Sequence, residues 1–139
     1  MKLRNSELWN LFNAVEGEIS SYRKLVRVKW SGIVSYEIAK LGKKLNDQLS
    51  VVNDARMNIL NRLREEGKDP AMQGNLTGEE SEEVKAKAVA DFAEFVTAFN
   101  EILNKEEEIE VGTIKIAKEK IPDIEPEVLL AFDRFIEVN

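Results

Sequence analysis

The chain contains neither cysteine nor histidine among its 139 residues. Without cysteine it forms no disulfide and performs no thiol chemistry, and without histidine it has no Ser-His-Asp triad and no imidazole acid or base. Zinc sites built from these two residue types are excluded as well. We therefore predict a protein that is not an enzyme and that carries no metal and no cofactor.

Proline and glycine are also scarce, with three and seven residues, while 43% of the chain is hydrophobic and 33% is charged. This balance is typical of a folded, helix-rich protein, and the length suits one domain. We predict a single, mostly helical domain over residues 1–139. No apolar run approaches the roughly 18 residues of a membrane span, and residues 1–10 lack a secretory core. We expect the protein to be located in the cytoplasm of a host cell, with association with the virion as the alternative.

The net charge of −6 is unevenly divided along the chain. Residues 1–64 contain twelve Lys or Arg against six Asp or Glu, whereas residues 65–139 contain eight against twenty. In one interpretation the two halves neutralise each other within the fold. In the other, the surface has two faces of opposite sign that attract charged partners.

Two long helices are predicted in the middle of the chain. Residues 31–64 have helical periodicity in Ile38, Leu41, Leu45, Val52, Ala55 and Ile59. A loop follows at about residues 66–77, with Gly67 at the helix end. A capping box of Thr77 and Glu80 opens a helix to about Asn104, whose predicted buried stripe is Val84, Ala88, Phe92, Phe95, Phe99 and Ile102. We predict an antiparallel αα-hairpin, or a partner subunit that covers the long apolar stripe.

Shorter elements are predicted on both sides of the hairpin. A first helix begins at Asn5 or Ser6 and ends near residues 18–21, with the stripe Leu8, Leu11, Phe12 and Val15. A closing helix begins at Pro126 and includes Val128, Leu129, Phe132, Phe135 and Ile136. Alternating patterns predict strands at residues 22–30 and 107–118, the second kinked at Gly112, which pair antiparallel. The predicted fold class is mainly α: a long αα-hairpin, flanking short helices and a two-stranded antiparallel β element.

The segment of residues 22–30 combines basic and aromatic side chains, which pair with phosphates and stack on bases in nucleic-acid sites. The acidic half of the chain would repel a polyanion, so we do not expect nucleic acid and favour pairing with the acidic strand or with a protein. The candidate binding residues of this segment are Tyr22, Arg23, Lys24, Arg27, Lys29 and Trp30.

A second candidate segment is acidic and consists of Glu79, Glu80, Glu82 and Glu83. Its E-E-x-x-E spacing resembles the magnesium-binding start of the helical nucleotide pyrophosphohydrolases related to MazG. Those enzymes need a second acidic pair one helix later, and Asn104 stands where its aspartate is required. We interpret the four glutamates as a solvated first turn that stabilises the helix dipole.

Four stretches together resemble a family of small uncharacterised proteins of tailed phages and prophages, chiefly of Gram-positive bacteria. The stretches are residues 1–8, 36–40, 99–103 followed by 108–111, and 124–131. The resemblance implies a phage-encoded accessory protein, from the tail or morphogenesis genes, that binds other proteins. It implies no catalytic residue.

Our leading hypothesis is a non-enzymatic interaction protein that binds a protein partner or itself as a homo-oligomer. The alternative is an inhibitor of a host enzyme or defence system. In that case its acidic surfaces imitate a polyanion, or its basic segment captures a nucleotide signal.

Overall fold

The computed structural model describes residues 1–14 and 17–139. These residues form a mainly helical protein with a small two-stranded antiparallel sheet, as predicted, together with a second, parallel strand pair. The helices are α1 Asn5–Phe12, α2 Ser21–Val26, α3 Gly32–Glu65, α4 Glu82–Leu103 and α5 Pro126–Ala131. The strands are β1 Lys2–Arg4, β2 Glu106–Glu108, β3 Ile114–Ile116 and β4 Ile136–Val138, and short 3-10 turns cover Met72–Asn75 and Lys118–Lys120.

The described chain divides into two compact units. The first unit joins Met1–Leu49 to Glu106–Asn139, and the second is Ser50–Lys105. The first unit has a continuous core of aliphatic and aromatic side chains from α1, α2, the first half of α3, β3, α5 and β4. The prediction of a single domain stays a prediction.

The bounds predicted for the long helix are confirmed, since α3 spans Gly32–Glu65. Its end is a Schellman motif in which Gly67 adopts a φ of 79°. The N–H of Gly67 donates to the carbonyl of Arg64 at 3.0 Å, and the N–H of Lys68 donates to that of Leu63 at 2.8 Å. Glycine at position 67 therefore stops the helix without steric cost.

The second long helix ends as predicted but begins later than predicted. The N-cap of α4 is Ser81, whose hydroxyl accepts a hydrogen bond from the N–H of Val84 at 3.3 Å. The predicted capping box of Thr77 and Glu80 is wrong, because these two residues form a local turn that ends just before Ser81. Either residue fits the capping pattern, and Ser81 lies directly before the helical backbone.

The predicted strand at residues 22–30 is wrong, because its first part is the helix α2. The hydroxyl of Ser20 caps this helix by accepting from the N–H of Arg23 at 3.2 Å, and Leu25 is fully buried. Val26, which the alternating pattern placed inside, is 45% exposed. A single capped turn around one buried leucine defines this segment, and the alternation in its sequence is incidental.

The predicted strand at residues 107–118 is two strands with different partners. β2 pairs antiparallel with β1, so that Arg4 lies opposite Glu106 and Lys2 opposite Glu108. β3 pairs in parallel with β4. The predicted pairing of residues 22–30 with residues 107–118 is therefore wrong, and the basic partner of the acidic β2 is the N-terminal β1.

Both short terminal helices are shorter than predicted. α1 ends at Phe12, and Val15 of its predicted stripe lies outside the described residues. α5 ends at Ala131, after which the chain turns and Ile136 opens β4. Phe132, Phe135 and Ile136 are buried as their apolar character requires, but they reach the core from a turn and a strand.

Candidate functional site

The two aromatic side chains of the predicted basic segment are half-buried and pack against the core of the first unit. Tyr22 stacks on Phe12 with ring centroids 4.6 Å apart, and burial raises the pKa of its phenol. Its ring lies where a β-carbon at Gly42 would be, so glycine allows this approach. Trp30 donates its indole N–H to the carbonyl of Leu25 at 2.9 Å. With these contacts, neither ring is presented as an open stacking platform for a base.

The basic side chains of the same segment lie at the surface. Arg23, Arg27 and Lys29 are exposed, and Lys24 is 3.7 Å from the carboxylate of Glu125. Lys24 and Arg27 line a groove of about 280 Å³ together with Asp123 and Glu125. Two of the basic side chains therefore lie near carboxylates of the same unit, which supports neutralisation within this unit over a free polyanion site.

The four glutamates of the acidic segment do not act as one group. Glu80 accepts hydrogen bonds from the N–H and hydroxyl of Thr77 at 2.7 and 2.8 Å and from the N–H of Gly78 at 3.0 Å. Bonds from Thr77, mainly its N–H, lower the pKa of Glu80 to about 2. Glu79, Glu82 and Glu83 are exposed. Glu80 therefore has a structural role in the loop, and Glu82 and Glu83 lie at the start of α4, where the helix dipole favours negative charge.

The second half of α3 packs on α4 through one side of α4. Ala88, Asp91 and Phe99 on this side are buried, and the guanidinium of Arg56 lies 5.7 Å from the ring centroid of Phe95. Asp91 accepts from the ammonium of Lys87 at 2.7 Å and from the N–H of Asp69 at 3.0 Å. These bonds, chiefly the one from Lys87, lower the pKa of Asp91. The carboxylate thereby holds the loop after α3 against α4.

A different side of α4 carries apolar residues that remain open. Val89 is 52% exposed and Phe92 is 42% exposed. Phe92 and Val84 were predicted to be buried against the long helix, and both predictions are wrong, since Val84 is 38% exposed. The cause is that α4 has two apolar stripes, and α3 covers only one of them.

The open side can be defined from helix geometry, since successive residues are rotated by about 100°. From residue 86 onward, one arc of about 160° contains only uncharged residues. We call it the neutral strip: Val89, Phe92, Val96 and Leu103 with the small residues Ala86, Ala90, Ala93 and Thr97 and the polar, uncharged Asn100. Val96 and Leu103 are half-buried, and the four small residues are exposed.

The charged residues of α4 beyond its first turn lie outside the neutral strip. Lys87 pairs with Asp91, and Glu94 accepts from Lys68 at 2.9 Å. Glu101 and Arg62 line a groove that borders the small residues of the strip at Ala93 and Thr97. The strip could have been found in the sequence, because Val89, Phe92, Val96 and Leu103 are separated by three, four and seven residues. These spacings place the four residues on one side of a helix. The stripe predicted from the sequence is the neighbouring one, which does not include Val89 and Val96.

Among residues 1–14 and 17–139, no group of three or more acidic side chains is placed to hold a metal ion. In the same residues, no helix is both long and apolar enough to cross a membrane. No protein-family model, no curated protein and no solved structure matches the chain.

Proposed function

We propose that this chain is a non-enzymatic accessory protein, encoded by a tailed phage or prophage, that works by binding protein. Its proposed place is the tail or morphogenesis machinery, in the host cytoplasm or in the virion. The binding element is the second unit, in which α3 and α4 form an antiparallel αα-hairpin that presents the neutral strip.

The contacts between α3 and α4 support the hairpin. Near the loop, Lys87 donates to the carbonyl of Gly67 at 3.0 Å and Lys68 donates to Glu94 at 2.9 Å. Farther from the loop, Arg56 lies over the ring of Phe95. α4 thus contacts both the segment that directly follows α3 and a residue within α3, which supports two helices that lie side by side.

The observation that carries the proposal is the exposure of the neutral strip. A phenylalanine and a valine that are each about half exposed, surrounded by small uncharged residues, form an apolar patch on a chain of which 33% is charged. Contiguous apolar patches on folded proteins mark binding surfaces, because covering them removes apolar area from water. Inhibition by imitation of a polyanion has less support, since Glu80 and Glu106 are engaged by Thr77 and Arg4.

The test is affinity capture from phage-infected cells with three matched baits, read by mass spectrometry. The baits are the unchanged chain, Val89→Glu in the neutral strip, and Val51→Glu at a valine of α3 that is 58% exposed. We expect a phage protein that is retained by the unchanged chain and by Val51→Glu and is lost with Val89→Glu. Equal capture by all three baits contradicts the proposal, as does any catalytic turnover that one carboxylate substitution abolishes.

A further inference from the structure

We propose that the neutral strip of α4 binds the same strip of a second copy of this chain, with the two α4 helices antiparallel across a two-fold axis. The inference rests on the proposed function and names the partner of its surface. The axis passes midway between Phe92 and Val96. Phe92 of each copy therefore faces Val96 of the other copy across the interface.

The chemistry of the strip selects an uncharged partner. Along about 27 Å of helix, at 1.5 Å per residue, the strip offers no charge to a charged partner. A membrane surface fits poorly, because helices that lie on membranes carry Lys and Arg on their polar face. α4 has five acidic residues against only Lys85 and Lys87. A second copy supplies a neutral apolar strip of equal length.

The small residues of the strip set how closely two copies approach. Ala86, Ala90, Ala93 and Thr97 are spaced by four, three and four residues, so they form a shallow row beside the apolar stripe. A shallow row lets a second helix pack near the lower end of the usual interaxial range of 8–10 Å. The side chains of Phe92 and Val89 then reach the facing helix.

The direction of pairing follows from size and charge. In a parallel pair Phe92 would face Phe92 and Lys85 would face Lys85. In the antiparallel register each Phe92 faces the smaller Val96, which favours tight packing. The same register places Lys85 opposite Leu103 of the other copy, at the negative end of its helix dipole. The last turn of α4, a helix that the structure describes in full, has no basic residue of its own. Lys85 of the second copy places a cation beside this turn.

The first experiment measures association of the full chain by sedimentation equilibrium. We expect a species of twice the 15.8 kDa of the single chain. Val89→Glu buries an unpaired charge at the interface, and we expect it to raise the dissociation constant at least about 100-fold. Val51→Glu, the same change at an exposed valine of α3, leaves the constant unchanged, and circular dichroism verifies that both variants are folded.

The second experiment tests the register by cross-linking, which is clean because the chain has no cysteine of its own. In the proposed register the two copies of residue 93 lie about 3 Å apart along the axis, and those of residue 86 about 24 Å apart. Under mild oxidation we expect Ala93→Cys to form a covalent dimer and Ala86→Cys to remain a single chain. Both positions are exposed alanines of one helix, so each variant is the control of the other.

Three results overturn the inference. The first is a 15.8 kDa species at all chain concentrations up to about 1 mM. The second is a dimer that Val89→Glu leaves intact, and the third is equal cross-linking at residues 86 and 93, as a parallel pair would give. If the chain stays single while Val89→Glu still abolishes capture of a phage protein, the strip binds that protein. The proposed function then stands and pairing with a second copy fails.

Discussion

At the scale of single residues, Gly42 is the position where the long helix least tolerates a side chain. A β-carbon there would overlap the ring of Tyr22, which is held between Phe12 and Phe132. We predict that Gly42→Ala lowers the free energy of unfolding by about 1–3 kcal/mol, measured by urea unfolding, although alanine is the better helix former by about 1 kcal/mol. Gly32→Ala is the control, since no described atom lies within 4 Å of its new β-carbon. Equal stability of the two variants would refute the role of Tyr22.

Glu80 gives the second prediction at this scale, and it concerns pH. Its pKa is about 2 in the folded chain, against an ordinary value of 4.5. A lowered carboxyl pKa stabilises the fold above the unfolded pKa, and this contribution is lost as the pH falls toward the folded pKa. We predict that the chain melts at a higher temperature than Glu80→Gln at pH 7 and that the difference shrinks between about pH 4.5 and 2. A difference that is constant over this range would contradict the assignment to ionised Glu80.

At the scale of elements, substitutions at the start of α4 can distinguish the observed cap, Ser81, from the predicted cap, Thr77. Ser81→Ala removes the hydroxyl that accepts from Val84, and we expect it to cost about 0.5–2 kcal/mol of stability with loss of helical circular dichroism. Thr77→Ala removes a partner of Glu80 in the preceding turn, so its helical signal should remain. A helical signal that falls with Thr77→Ala and not with Ser81→Ala would restore the predicted capping box.

The two long helices and the starts of α1 and α5 were predictable, whereas α2 and the strand pairings were not. α3 and α4 each repeat their apolar period over many turns, and Gly67 ends α3 through its backbone freedom alone. Residues 22–30 have too few positions for one period to exclude another, so their helix is decided by the Ser20 cap and by burial of Leu25. The partners of β2 and β3 come from opposite ends of the chain, and no local pattern identifies such distant neighbours.

At the scale of the whole molecule, the charge of −6 predicts how the proposed dimer responds to salt. Two copies of like net charge repel each other, and we expect this repulsion to outweigh the attraction of Lys85 to the helix dipole of the other copy. The Debye length falls from about 30 Å at 0.01 M to about 8 Å at 0.15 M ionic strength, so we expect the dissociation constant to fall roughly threefold or more over this range. Sedimentation at the two salt concentrations measures it. A constant that rises with salt would mean that opposite charges hold the copies together.

The sequence by itself determined the helical class, the bounds of α3, the end of α4 and the lack of cysteine and histidine chemistry, because these depend on composition and on periods repeated over many turns. It also placed six candidate residues in one basic and aromatic segment. Only the tertiary structure decided that Tyr22 and Trp30 pack against the core and that Lys24 pairs with Glu125. Likewise, two apolar stripes are written along α4, but which one meets α3 and which one faces water depends on how the helices pack. Whether a side chain is buried depends on the residues that pack around it, and those that are distant in sequence come together only when the chain folds.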